Sequence, residues 1–161
     1  MIQESRDMMK TLEWLTEQLL KTIEGLPPEA LDWKPGAGTN SAAAIVTHAL
    51  GASRNWLVAI VARRPNPRDR EAEFLATGGD LQNVPAHAKS LLAAARDILG
   101  PMTTTDLDAL CVLPAAMQSE WEGLTARGAI LHVLEHLGTH IGHLQLTLQL
   151  RRTPMAQEKH G

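Results

Sequence analysis

Apolar residues recur at the spacing of an amphipathic helix in four long stretches of the chain. In the first stretch, residues 2 to 24, the apolar positions lie close to a helical period: Met8, Met9, Leu12, Leu15, Leu19, Leu20 and Ile23. Gly25 and Pro27-Pro28 end this helix. The second stretch runs from Asn40 or Ser41 to about Arg63, and it is apolar on most sides, which is typical of a central helix.

The third and fourth helices are marked by capping residues. Asn83 is predicted to cap the third helix, which ends at Gly100-Pro101. Thr125 is predicted to cap the fourth and longest helix, which ends near Arg151-Arg152. The connections are a structured turn region (Glu29 to Thr39), a loop with room for a short turn around Glu71 to Leu75 (64 to 82), and an irregular stretch (101 to 122).

Four long helices with long connections predict an all-α fold, a four-helix bundle. The length of 161 residues predicts one domain that spans residues 1–161. Such a domain buries about 70% of the surface that its unfolded chain exposes, so it needs no disulfide to be stable. The single cysteine, Cys111, excludes an intramolecular disulfide and fits a reducing compartment. Because its neighbours are apolar, Cys111 is interpreted as an ordinary packed residue, and a catalytic thiol is the less favoured alternative.

Charge and composition exclude several functions. The net charge is −3, and there is no basic stripe interleaved with aromatic residues, so we expect no nucleic-acid partner. One arginine-rich stretch is interrupted by prolines and balanced by acidic residues, which predicts a solvated loop. It comprises Arg63, Arg64, Arg68, Asp69, Arg70, Glu71 and Glu73. We expect no membrane partner and a cytoplasmic location, because the polar N-terminus does not resemble a signal peptide and no uninterrupted apolar run reaches about 18 residues.

Histidines are concentrated in the fourth helix. Four of the seven histidines fall within twelve residues, at steps of four, four and three: His132, His136, His140 and His143. On a helix these steps place all four imidazoles on one face. Apolar residues share or flank that face: Leu134, Leu137, Ile141, Leu144 and Leu148. Histidines among core residues need partners, and a divalent metal ion is a partner that uses several at once.

Reach decides which histidines can bind one ion. His132 and His143 lie about 16 Å apart along a helix axis, too far for metal–nitrogen bonds of about 2 Å to one ion. His136 and His140 each belong to two of the three adjacent pairs. An i,i+4 histidine pair on an apolar face is a recurring ligand geometry, although an interface or a pH switch can also use one.

A third ligand has to come from another segment. His48 is the obvious candidate, because it lies inside the apolar run from Ser41 to Ala62, although a lone histidine there can also be a plain core residue. His87 lies near a helix start among polar residues, and His160 lies in a charged tail, so both are worse placed. The other two histidines of the fourth helix are interpreted as outer groups, which orient a ligand or meet a substrate.

Three segments carry a resemblance to a known family. They are Leu31-Asp32-Trp33-Lys34-Pro35-Gly36, then Asn40 to His48, and finally Glu135 to Leu144. In this order and separation they resemble the DinB-like superfamily, which includes transferases and isomerases that use mycothiol or bacillithiol. The resemblance implies a four-helix bundle and a divalent metal held by His48, His136 and His140. It also implies a homodimer. Where this chain has His143, family members often carry glutamine.

The expected activity follows from this site. Three protein nitrogens leave positions open on the ion, which is the arrangement of a catalytic site. We expect a metal-dependent transferase that adds a low-molecular-weight thiol to a small electrophilic substrate. The alternatives are a non-catalytic metal-binding or stress-response protein and a metal-dependent hydrolase, for which Glu135 is wrongly spaced as a base. Zinc or nickel is the expected metal, with iron or copper as alternatives. The sequence assigns no catalytic residue and no thiol-binding residue.

Overall fold

Four long helices follow one another along the chain, as the hydrophobic pattern predicts. The computed structural model describes residues 1–152. Its α-helices are α1 (Gln3–Ile23), α2 (Pro28–Asp32), α3 (Ala42–Asn55), α4 (Arg70–Leu75), α5 (Val84–Leu99), α6 (Thr104–Asp108) and α7 (Ala126–Arg152). A π-helix (Trp56–Val61) continues α3, and 3-10 turns occupy Gly78–Asn83 and Ala115–Met117. Within residues 1–152 the only β-type pairing is an isolated bridge between Leu110 and Thr125, so the all-α class is confirmed.

The side chains that begin α3 and α7 are those expected. Ser41 accepts a hydrogen bond from the backbone N–H of Ala44 at 3.2 Å. Thr125 accepts one from the backbone N–H of Gly128 at 3.2 Å. Each hydroxyl pairs an N–H that has no partner within its own helix. Asn83 occupies the predicted N-cap position of α5, but its side chain makes no capping hydrogen bond, because the preceding 3-10 turn leads directly into the helix.

The second long helix changes its hydrogen-bond pattern near its end. From Trp56 onward it is π-helical, and the backbone N–H of Ala62 donates to the carbonyl of Leu57, five residues earlier, at 3.0 Å. Arg63 then adopts a left-handed conformation (φ 53°), which ends the helix at about the predicted position. π-Helical turns inside longer helices are often found at functional sites.

The four long helices form a closed bundle in which α3 packs against α5 and α7, and α1 packs against the same two helices. The first turns of α3 are built from fully buried alanines, so its neighbours can approach closely. The largest fully buried side chains are Leu19, Leu57, Leu91, Leu99, Leu107, Ile130, Leu137 and Leu144. Each contributes at most about 1.5–3 kcal/mol through burial. This packing places the middle of α3 opposite the middle of α7.

The central position of α3 also explains its composition. The stretch Ala42–Val61 is long and apolar enough to cross a membrane by length and composition alone. However, 67% of its most apolar window is buried by the rest of the chain, as in the core helix of a bundle. By itself, such a helix is weak evidence for a membrane span.

Candidate metal centre

The bundle brings three histidines from two helices together. His48 projects from α3, and His136 and His140 project from successive turns of α7. One ring nitrogen from each of the three lies within 4.8 Å of the others. The ring centroid of His48 is 5.3 Å from that of His136 and 5.0 Å from that of His140. These are the three residues that the sequence selected as candidate ligands.

The two histidines of α7 face each other directly. Their Nε2 atoms are 3.2 Å apart. Two ligands of one tetrahedral ion, each with a bond of about 2.0–2.1 Å, are separated by about 3.3 Å. The Nδ1 atoms of both rings are buried and have no hydrogen-bond partner among the described residues. The separation of the two Nε2 atoms, which are the nitrogens that face each other, fits two ligands of one divalent cation.

Burial keeps the three imidazoles neutral. Loss of solvent, reinforced by the neighbouring histidines, lowers the pKa of His136 to about 3. The same two causes lower the pKa of His140 to about 4. Burial also lowers the pKa of His48, although the hydrogen bond and the charge of Glu73 oppose it. Neutral imidazoles offer lone pairs at pH 7, as metal ligands must.

A buried carboxylate contacts His48, and the sequence did not reveal it. Glu73 is only 7% exposed. Its Oε2 lies 3.0 Å from His48 Nδ1. Its two oxygens also accept hydrogen bonds from Nε and Nη2 of Arg68, both at 2.7 Å. The prediction of a solvated loop is therefore wrong for this pair, whereas Arg63, Arg64 and Arg70 are exposed as predicted.

The short helix α4 accounts for this difference. Asp69 caps it by accepting a hydrogen bond from the backbone N–H of Ala72 at 2.9 Å, and the following turn carries Glu73 to the surface of α3. Phe74 stacks on the His48 ring, with centroids 4.6 Å apart and planes inclined by 29°. The only sequence signal is the capping aspartate before an acidic turn. That signal predicts a helix start but does not tell which acidic residue is buried.

The remaining histidines lie outside the group of three. His132 contacts Trp56 and Trp121, with centroid distances of 4.6 and 4.7 Å, and its ring is 5.6 Å from that of His136. His143 is exposed, 5.7 Å from the ring of His140. Both flank the pair, as the interpretation of outer groups requires. No pattern in the sequence indicates that Trp56 and Trp121 pack on His132.

Two further histidines and the cysteine lie elsewhere. His87 is exposed on α5, and His160 lies outside the described residues. Cys111 is half-buried, and burial raises the pKa of its thiol, so the thiol stays protonated at neutral pH. These positions agree with the interpretation of Cys111 as a packed residue, since a reactive cysteine needs a lowered pKa.

The chain is similar to a known protein family. The family model described as mycothiol S-transferase matches residues 7–151, which includes all three clustered histidines and nearly the whole described chain. No curated protein and no solved structure matches the chain. A match of this extent also confirms the resemblance carried by the three sequence segments. The chain belongs to the mycothiol S-transferase family, within the DinB-like superfamily.

Proposed function

We propose that this protein is a metal-dependent thiol transferase, which joins a low-molecular-weight thiol of the mycothiol type to a small electrophile. Its divalent ion would be held by His48, His136 and His140. The observation that carries the proposal is the convergence of three neutral imidazoles from α3 and α7 in a chain of the mycothiol S-transferase family. Zinc or nickel suits three imidazoles, and iron or copper would also fit.

The chemistry follows from the donor set. A divalent ion bound there would stabilise the thiolate form of a small thiol at neutral pH. The thiol proton passes to solvent, and the sulfur forms a bond to the electrophilic carbon. With a chlorinated electrophile such as monochlorobimane, the carbon–chlorine bond breaks and chloride leaves with the electron pair. The protein supplies three fixed nitrogens and a surrounding from which water is partly excluded.

The carboxylates near the histidines support a transferase over a hydrolase. Metal-assisted hydrolysis uses a general base that is free to take a proton from water. Glu73 accepts two hydrogen bonds from Arg68 and one from His48. Glu135 is exposed and accepts a hydrogen bond from the Thr139 hydroxyl at 2.9 Å. Glu73 is therefore fully engaged, and Glu135, one residue before His136, points about 100° away from it around the helix, whereas a thiol brings its own nucleophile.

The activity test separates the candidate functions. We expect the zinc-loaded protein to consume free thiol and to form fluorescent product when monochlorobimane is supplied with a panel of small thiols that includes mycothiol and bacillithiol. Removal of metal with a chelator should abolish the reaction, and readdition should restore it. No turnover with any thiol in the zinc- or nickel-loaded protein contradicts the proposal and leaves a metal-binding protein. Turnover of ester or amide substrates without thiol would instead indicate a hydrolase.

We also propose that the chain forms a homodimer. Large apolar side chains are exposed on the two adjacent helices α1 and α7: Trp14, Leu131, Leu146 and Leu150. Contiguous exposed apolar patches mark association surfaces, whereas singly scattered residues do not, so the proposal requires these side chains to form one surface. Light scattering should give twice the chain mass of 17.5 kDa. A monomeric mass at high protein concentration contradicts the proposal.

A further inference from the structure

We infer that Glu73 is the positioning residue of His48: together with Arg68 it holds the ring with its proton on Nδ1 and leaves Nε2 as the nitrogen available to an ion. This inference rests on the proposed metal site and adds three residues to it, Glu73, Arg68 and Gly51. Nothing in the family match assigns a role to them.

The direction of the hydrogen bonds follows from the charges. Arg68 donates to both oxygens of Glu73, at 2.7 Å each. A carboxylate held in this way only accepts hydrogen bonds. The 3.0 Å contact between Oε2 and His48 Nδ1 therefore requires the hydrogen on Nδ1. A neutral imidazole has one such hydrogen, so Nε2 carries the lone pair.

Burial makes the contact strong and specific. The side chain of Glu73 is 8% exposed and that of Arg68 is 19% exposed. Hydrogen bonds between charged groups strengthen as water is excluded, and a carboxylate taken out of water needs all its partners. A hydrogen bond from the outer nitrogen of a ligand histidine to a carboxylate fixes the ring orientation and raises its basicity. The pair is therefore placed to tune the ligand.

A glycine on α3 makes room for the carboxylate. Gly51 lies three residues after His48 and thus on the same side of the helix. A Cβ atom at this position would lie 2.2 Å from Oε1 of Glu73 and 2.8 Å from its Cδ. The carboxylate cannot retreat without losing Arg68 or His48. Any side chain at position 51 would therefore displace Glu73.

Two adjacent residues of α4 hold the imidazole from different sides. Glu73 bonds to the edge of the ring at Nδ1, and Phe74 stacks on its face. The guanidinium of Arg70 lies 5.0 Å from the centroid of the Phe74 ring, on the same short helix. A ring that is fixed at one edge and one face has little freedom left to rotate. α4 thus orients His48 although it supplies no ligand.

The first experiment compares two glutamates of α4. We expect Glu73→Gln to weaken zinc binding by about 10–100-fold, measured by competition with a chromophoric chelator. The matched control is Glu71→Gln, which removes the same charge from an exposed position two residues away and should bind zinc like the unaltered protein. Circular dichroism checks that each variant is folded. Equal zinc affinity in folded Glu73→Gln and the unaltered protein overturns the inference.

The second experiment reads the tautomer directly, in metal-free protein. Long-range proton–nitrogen NMR should show the His48 hydrogen on Nδ1, and Glu73→Gln should shift the ring toward a mixture of tautomers. A merely structural glutamate would leave this signal unchanged. A hydrogen on Nε2 of His48 in the unaltered protein overturns the inference without the need for any variant.

The third variant keeps the Glu73 carboxylate but fills the space beside Gly51 that the carboxylate occupies. Gly51→Ala should weaken zinc binding in the same direction as Glu73→Gln. Gly142→Ala is the matched control, because no atom lies within 4 Å of the added carbon there. Unaltered affinity and tautomer in Gly51→Ala would contradict the role of this glycine. If the unaltered protein binds no zinc, the proposed function fails, whereas the tautomer measurement still decides the role of Glu73.

Discussion

The two helices that form the histidine cluster hold their imidazoles in different ways. On α3, the Nδ1 atom of His48 is paired with a buried carboxylate, which is itself paired with an arginine. On α7, the Nδ1 atoms of His136 and His140 are buried and have no partner among the described residues. Both sides present neutral rings to the same point. One side is supported by polar contacts, and the other is supported by helix geometry and packing alone.

The two kinds of support indicate which part of the site is adjustable. The spacing of four residues along α7 brings two rings together in any regular helix, so that side needs no further device. A single histidine on α3 has no such neighbour, and its ring could rotate about two side-chain torsions without Glu73. We therefore expect α7 to supply most of the binding energy for the ion and α4 to set the orientation of the third ligand.

The largest expected effect comes from removing the α7 pair. His136→Ala should reduce zinc retained after gel filtration to near zero, because it deletes one of two facing nitrogens and leaves only two of the three ligands. Elemental analysis of the eluted protein measures the loss. His87→Ala is the matched control and should retain zinc, since His87 is exposed on α5. Zinc retention in folded His136→Ala, or its loss in His87→Ala, would show that the ion lies elsewhere.

A smaller effect is expected from changing the residues that support His48 on α3. The measured quantity here is the stability of the protein and not its metal content. Arg68→Ala leaves Glu73 buried without its main partner, so the free energy of unfolding should fall by about 2–3 kcal/mol. Chemical denaturation of the metal-free protein measures this change.

The control for that variant is Arg64, an arginine four positions earlier in the same segment of the chain. Arg64 pairs with Asp97 at the exposed surface, so Arg64→Ala should change stability by at most about 0.5 kcal/mol. Similar losses in both variants would mean that the buried pair contributes no more than a surface pair. The polar support of His48 would then be weak, and the contrast between the two sides would disappear.

The same contrast explains what the sequence could reveal. The i,i+4 spacing of His136 and His140 is a local pattern, so it is visible in the chain itself. His48 could be selected only as a histidine inside an apolar run, and its height relative to α7 depends on how the helices pack. The long helices were likewise predicted from periodicity. The π-helical turn that begins at Trp56 carries no such pattern, and the sequence did not indicate it.

Glu73 could not be predicted for a different reason. Arg68 and Glu73 lie among five other charged residues between Arg63 and Glu73, and charge in such a stretch usually means exposure. Their burial depends on Gly51, twenty-two positions earlier in the chain, which leaves space for a carboxylate only once α4 has folded onto α3. The space beside Gly51 arises from contacts between distant segments of the chain, so it produces no periodic pattern in the sequence.

The smallest expected effect is a difference in pH dependence between the two sides, measured in metal-free protein. The pKa of His136 is lowered to about 3 and that of His140 to about 4, from an ordinary value of 6.5. Below pH 6.5 the unfolded chain therefore binds protons that the folded chain does not. The contribution of these two histidines to the free energy of unfolding is fully present above pH 6.5. It decreases as the pH drops toward 4, by at most about 1.4 kcal/mol per pH unit for each histidine.

Denaturation at pH 7.5 and pH 5.5 measures this slope in a range where carboxylates stay largely ionised. Replacing both α7 histidines, in the double variant His136→Gln/His140→Gln, should flatten the slope. His48→Gln should flatten it less, because Glu73 opposes the effect of burial on the pKa of His48. If His48→Gln instead removes the larger part of the pH-dependent change in the free energy of unfolding, then His48, and not the pair on α7, is the histidine without polar support.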